Sequence, residues 1–182
     1  MKNGVKIILL ISLILLTLAC INPQYEHLRK GDSYANEGKW NEAIAEYSKA
    51  IELEPNFVEA YNNRASAYTE KGEYDKAIAD CTKAIELDPQ STIPYYNRSI
   101  AYLYKGEYEK TIADCDKILE LGLNSPWVHY HRGMAHFEMG NYKSAIDDFI
   151  TAKSISTNST FNQMVDQKIQ AAENMMRKPI QQ

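Results

Sequence analysis

The sequence holds no glycine-rich phosphate loop and no Gly-x-Ser-x-Gly word, the patterns that cradle nucleotides or raise a nucleophilic serine. Histidine is scarce: His27, His129, His131 and His136. His129 and His131 stand two apart, so on a helix they point to nearly opposite sides and do not share a metal. There are three cysteines. Cys20 ends an apolar run, which leaves Cys81 and Cys115. An even pair in an exported chain suggests a disulfide. These two, however, take corresponding places in successive copies of a repeat. Such places lie about a helix diameter or more apart, too far for a bridge, so we read two buried free thiols. Basic residues are outnumbered, 20 against 24, for a net charge of −4. That balance excludes the basic face that nucleic acid needs. It equally excludes a surface held to anionic lipid by charge. The acidic residues recur with the repeat, which marks solvated faces rather than a catalytic pair. The sequence thus offers no catalytic residue, metal ligand or cofactor site.

Only one long apolar run is present, from Ile7 to Ala19. It is too short for a comfortable membrane span, and with Lys2 and Lys6 before it, it reads as a secretory signal over residues 1–19. It closes Leu16-Thr17-Leu18-Ala19-Cys20. This resembles the lipobox of bacterial lipoproteins, although Thr17 stands where Leu is usual. The resemblance implies cleavage before Cys20, lipidation of Cys20 and a short tether over 20–24. Acyl chains would then supply the membrane attachment. Loss of Lys2 and Lys6 leaves 18 basic against 24 acidic residues, a net charge of −6. Ile21, rather than Asp, follows the Cys. In a diderm bacterium this points to a cell-envelope protein on the periplasmic face of the outer membrane.

The rest of the chain is organised by one word. Gly38-Lys39-Trp40-Asn41-Glu42-Ala43-Ile44 returns at Gly72, Gly106 and Gly140, each copy 34 residues after the last. A fixed period of this size marks stacked repeats. Other columns keep the same phase. Small residues fall at Gly31, Ala65, Ser99 and Gly133. Rings fall at Tyr34, Tyr68, Tyr102 and His136. A further column reads Tyr47, Cys81, Cys115, Phe149, and another reads Ala50, Ala84, Ile118, Ala152. Pro55 and Pro89 close the first two copies. Together these columns resemble the tetratricopeptide repeat. The resemblance implies an all-α fold, a right-handed superhelix of four helix-turn-helix repeats over residues 24–57, 58–91, 92–125 and 126–159. Helices are expected over 25–37, 40–53, 57–71, 74–87, 92–105, 108–121, 126–139 and 142–155. Gly122 is placed to cap the sixth, and Pro126 to open the seventh.

Residues 160–177 leave the period. Phe161, Met164, Val165, Ile169, Ala172 and Met176 share one helical face. An array's last hairpin has an open apolar side, so this segment is read as a capping helix, with Ser159 or Thr160 at its N-cap and 178–182 as a tail. The competing readings are a mobile amphipathic helix offered to a partner and a helix folded back into the groove. A polar column also repeats: Lys30, Arg64, Arg98 and Arg132 on the first helix of each hairpin, with Glu46, Asp80, Asp114 and Asp148 on the second. We expect recurring ion pairs within or between repeats.

In this family the first helices of the hairpins line a concave face that takes partner peptides. Carried over by position, the first repeat offers Tyr25, Leu28, Arg29 and Asp32, and the second Glu59, Asn62, Asn63 and Ser66. The third offers Ile93, Tyr96, Asn97 and Ile100, and the fourth Trp127, Tyr130, His131, Met134 and Phe137. The amides of Asn63 and Asn97 are in register to grip a peptide backbone, and the aromatics are the usual anchors of a binding site. Chaperone tails are bound in one variant by a carboxylate clamp of Lys, Asn and Arg. Here only Asn63 matches, while Leu28, Asp32, Ile93 and Asn97 depart from it, so a clamp is not expected. The reading is a protein-binding scaffold and not an enzyme, tethered by lipid. Assembly of envelope machinery is one candidate role. The alternatives are a self-associating structural component or an accessory subunit of an envelope enzyme or a secretion or pilus assembly.

Overall fold

The computed structural model describes residues 22–177. The signal segment, Cys20 and Ile21 of the tether, and the tail lie outside the described residues. Within them the chain forms helices α1 (Pro23–Asn36), α2 (Trp40–Leu53), α3 (Val58–Glu70), α4 (Tyr74–Leu87) and α5 (Thr92–Lys105). α6 (Tyr108–Glu120), α7 (Pro126–Glu138), α8 (Tyr142–Ile155) and α9 (Ser159–Arg177) follow, with no strand. α1 begins at Pro23, inside the expected tether, because proline's fixed φ and missing N–H suit the first helical position.

Each hairpin turns at its glycine for a stated backbone reason. Gly38, Gly72, Gly106 and Gly140 take φ between 71° and 82°, where a side chain is strained. The N–H of the next residue then reaches five places back: Lys39 to Tyr34 and Glu73 to Tyr68 at 2.9 Å, and Asn141 to His136 at 2.8 Å. This is the Schellman arrangement, which satisfies the helix's last carbonyls. Gly122 does the same for α6, at φ 90°.

Successive helices pack in chain order. In addition α1 touches α3, α3 touches α5, and α5 touches α7, so the odd helices form one inner wall. The core lies between the walls and is tuned by volume. The Tyr47 ring rests on Gly31, and the Phe149 ring on Gly133, where an added Cβ would lie 2.8 Å from Phe149 Cε1. Where that column carries Cys81 and Cys115 instead, the facing positions hold Ala65 and Ser99, all fully buried. Thr111 replaces the alanine of Ala43, Ala77 and Ala145, and its hydroxyl donates to the Ser99 carbonyl at 3.3 Å. Both thiols are free, and burial pushes each up to about 12.

The polar columns pair as expected in three repeats and do more besides. Arg64 forks onto Asp80, Arg98 onto Asp114, and Arg132 onto Asp148, each 16 residues ahead. Each also reaches 16 residues back to the preceding hairpin: Arg64 to Ser48 at 2.9 Å, Arg98 to Thr82 at 3.1 Å, Arg132 to Asp116 at 2.5 Å. One guanidinium therefore ties three helices. The first repeat departs from the expectation. Lys30 pairs with Glu26 at 2.7 Å, one turn away, and Glu46 is held by His27 and Lys49, each at 2.6 Å. An ammonium lacks the planar fork that lets arginine serve both neighbours.

α9 packs on α8. Its Phe161 and Val165 close a core with Ala145, Phe149 and Ala152. The N-cap is neither Ser159 nor Thr160: the Asn158 Oδ1 accepts the Phe161 N–H at 3.0 Å. Lys153 and Asp166 fasten the rim at 2.6 Å.

Candidate functional site

Three clefts run along the inner wall and join through shared residues. The first, about 320 Å³, lies between α1 and α3 and includes Asp32, Asn36, Asn63, Ser66 and Glu70. The second, about 450 Å³, starts from the same Glu70 and is walled by Tyr74, Tyr96, Tyr104 and Trp127. It shares Ile100, Tyr104 and His131 with the third, about 420 Å³, which continues past Tyr130 and Met134 to Glu138. The result is one groove from Asp32 to Glu138.

The residues expected to line it divide. Tyr96, Ile100, Trp127, Tyr130, His131 and Met134 do so, and Asn63 lines the first cleft. Ile93 is exposed at 59% on the first turn of α5 but lines none of the three. Phe137 lines none of the three; it is half-buried and packs against the core under α9, edge-on to Tyr142 at 5.4 Å. Leu28 and Asn62 are buried and offer nothing to a guest. The amides of Asn63 and Asn97 are already engaged. Asn63 Nδ2 donates to Asp32 Oδ1 at 2.9 Å, and Asn97 Nδ2 faces the Asn62 carbonyl at 3.5 Å. Asp32 also accepts the Tyr47 hydroxyl at 2.8 Å.

Sequence reasoning missed Glu70, Tyr104 and Glu138. Each lies four residues beyond an expected position that lines a cleft (Ser66, Ile100, Met134), hence one turn further along the same helical face. Carrying the stripe to the end of each odd helix finds them. Tyr74, which stacks on Tyr104 at 5.9 Å and 15°, opens α4 and is reached only once the hairpin is folded.

At the C-terminal end the groove and the cap meet. Phe161 of α9 lies edge-on to Trp127 at 4.6 Å and to Tyr130 at 5.8 Å. The cap thus braces two aromatics from behind, while Trp127 remains 44% exposed and Tyr104 66% exposed. His131 sits between the Tyr96 ring at 5.3 Å and the Trp127 ring at 6.1 Å. Burial lowers its imidazole to about 4, so it is neutral at ordinary pH, and its buried Nδ1 has no hydrogen-bond partner among the described residues.

This geometry defines a class: a solenoid of helical hairpins with a furnished inner wall. Models of the tetratricopeptide repeat match residues 58–91 and 128–159, and a TPR repeat model matches 31–69. The chain contains tetratricopeptide repeats over these residues. Among solved structures, a tetratricopeptide repeat protein from Parabacteroides merdae is 25% identical with a TM-score of 0.75, covering 87% of this chain and 60% of that one. The first TPR of Spaghetti (RPAP3), solved bound to an HSP90 peptide, is 27% identical at TM-score 0.63, covering 64% and 93%. The Arabidopsis OM64 TPR domain is 26% identical at 0.61, covering 64% and 98%. No curated protein matches the chain.

Proposed function

We propose that this protein is a non-enzymatic scaffold that holds an extended segment of a partner protein in the groove of its inner wall, while lipid at Cys20 fixes it to an envelope membrane. The observation that carries the binding reading is the continuity of the groove together with the exposure of Trp127 and Tyr104 inside it. Rigid, exposed aromatics in a concave site are the usual anchors of recognition. Similarity to a repeat domain solved with a bound peptide supports the same reading. The HSP90 peptide of the Spaghetti complex, SRMEEVD, is acidic towards its end. Such a tail is not the guest here, because Asp32 stands where a clamp needs a donor and has taken the Asn63 amide for itself.

The address rests on the order of residues at the start of the chain: Lys2 and Lys6, the apolar run, then Leu16 to Cys20. Metabolic labelling with a fatty acid tests it. Label should enter the parent and be lost in Cys20→Ala, and equal labelling of both would overturn the lipid anchor. Capture from the source cell tests the groove. Tyr104→Ala/Trp127→Ala should lose partners that the parent retains, and retention of all of them would refute the site.

A further inference from the structure

The groove's charge is one-sided. Its linings contain three ionisable acids, Asp32, Glu70 and Glu138, and no Lys or Arg. Most neighbouring basic side chains are spent elsewhere. Arg29, exposed on α1 one repeat before Asn63, takes no ion pair among the described residues and lines none of the three clefts. Lys76, in a side cleft that shares Tyr74, is paired with Glu73. Arg64, Arg98 and Arg132 fork onto Asp80, Asp114 and Asp148, and Lys71 and Lys105 are tied to acids at the turns. Glu70 and Glu138 take no hydrogen bond or ion pair among the described residues and are exposed. Between them lie Tyr74, Tyr96, Tyr104 and Trp127, whose ring faces attract a cation. The one basic side chain in the lining, His131, is neutral at ordinary pH and adds no repulsion. At the far end, Asn63 has given an N–H to Asp32, which leaves its carbonyl oxygen to accept from a donor.

We propose that the groove selects an extended peptide segment of mixed basic and apolar character, seating a Lys or Arg side chain among Tyr74, Tyr96, Tyr104 and Trp127 beside Glu70. The inference rests on the groove being the partner site. An acid at the mouth and rings around the seat reward a positive charge twice, by Coulomb attraction and by the ring quadrupole. A carboxylate in the same place meets like charge at three points along the groove. Specificity of this kind comes as much from the rejected charge as from the accepted one.

The test uses the full chain in detergent micelles and three labelled nine-residue peptides of one apolar framework. Two positions carry Lys, norleucine or Glu, and binding is read by fluorescence anisotropy at low and high salt. The Lys peptide should bind at least tenfold tighter than the Glu peptide and severalfold tighter than the norleucine peptide, with the advantage shrinking in salt. Glu70→Gln/Glu138→Gln should narrow the Lys-over-norleucine preference at least threefold, with an unchanged melting curve as the check on folding. Equal affinity for all three peptides, lost in Tyr104→Ala/Trp127→Ala, would overturn the charge preference and keep the groove. Binding that ignores Tyr104→Ala/Trp127→Ala would overturn both.

Discussion

Single residues decide the packing here through volume, and glycine is the clearest case. Alanine gains about 1 kcal/mol over glycine in a helix interior. At Gly133 the added methyl would have to displace the Phe149 ring, and overpacking of this kind costs on the order of 1–3 kcal/mol. Gly133→Ala is therefore expected to lower the melting temperature. In a Phe149→Cys background, which copies the Ala65 and Cys81 pairing, the same substitution should cost little. Thermal melts of the four proteins check this, and equal losses in both backgrounds would refute the volume match. His131 makes a second prediction at this scale. Its folded value of about 4 lies below the ordinary 6.5. As pH falls through that window the unfolded chain takes up a proton that the folded chain refuses, so stability is lost between pH 6.5 and 4. His131→Phe should lose less stability over the same window, by on the order of 1–3 kcal/mol, in urea titrations at pH 7 and pH 4.5.

Helices are held to one another by the guanidinium forks. Burial raises the Asp114 carboxyl, and Arg98 partly offsets it. Arg98 is itself raised, with its bond to Asp114 first among the causes. The pair is thus costly to bury and worse to halve. Asp114→Ala should destabilise by about 3–5 kcal/mol, whereas Arg98→Met/Asp114→Leu should lie close to the parent. Urea unfolding of both variants decides, and a mild effect of Asp114→Ala would mark the pair as solvated. The recurrence of these columns was legible in the sequence, because a period of 34 carries both partners along. The second reach, to Ser48, Thr82 and Asp116, was not, since that column mixes two hydroxyls with a carboxylate. The failure of Lys30 to join was also hidden, because the columns list its charge but not its geometry. The groove was half legible for a similar reason. Positions carried over from the family resemblance picked Tyr96, Ile100 and Trp127, yet they gave no sign that Leu28 is buried and that Phe137 packs against the core under α9.

At the scale of the molecule, α9 closes the array. Loss of residues 160–182 uncovers Ala145, Phe149 and Ala152, and removes the burial of Phe161 and Val165. Each of those two side chains contributes about 1.5–3 kcal/mol. The truncated protein should melt several degrees lower and self-associate in light scattering, and a monomer of parental stability would contradict the cap. The amphipathic pattern of residues 160–177 showed which face is apolar. It did not show which surface receives that face, and the answer, α8 with the backs of Trp127 and Tyr130, binds the end of the scaffold to the end of the groove. The constant reach of 16 residues in either direction has a further result for how such chains change length. Excise residues 58–91 as one unit, and Arg98 meets Ser48 where it had met Thr82, hydroxyl for hydroxyl. The joint heals without redesign, so duplication or deletion of a whole unit can lengthen or shorten the scaffold while each surviving seam stays in register.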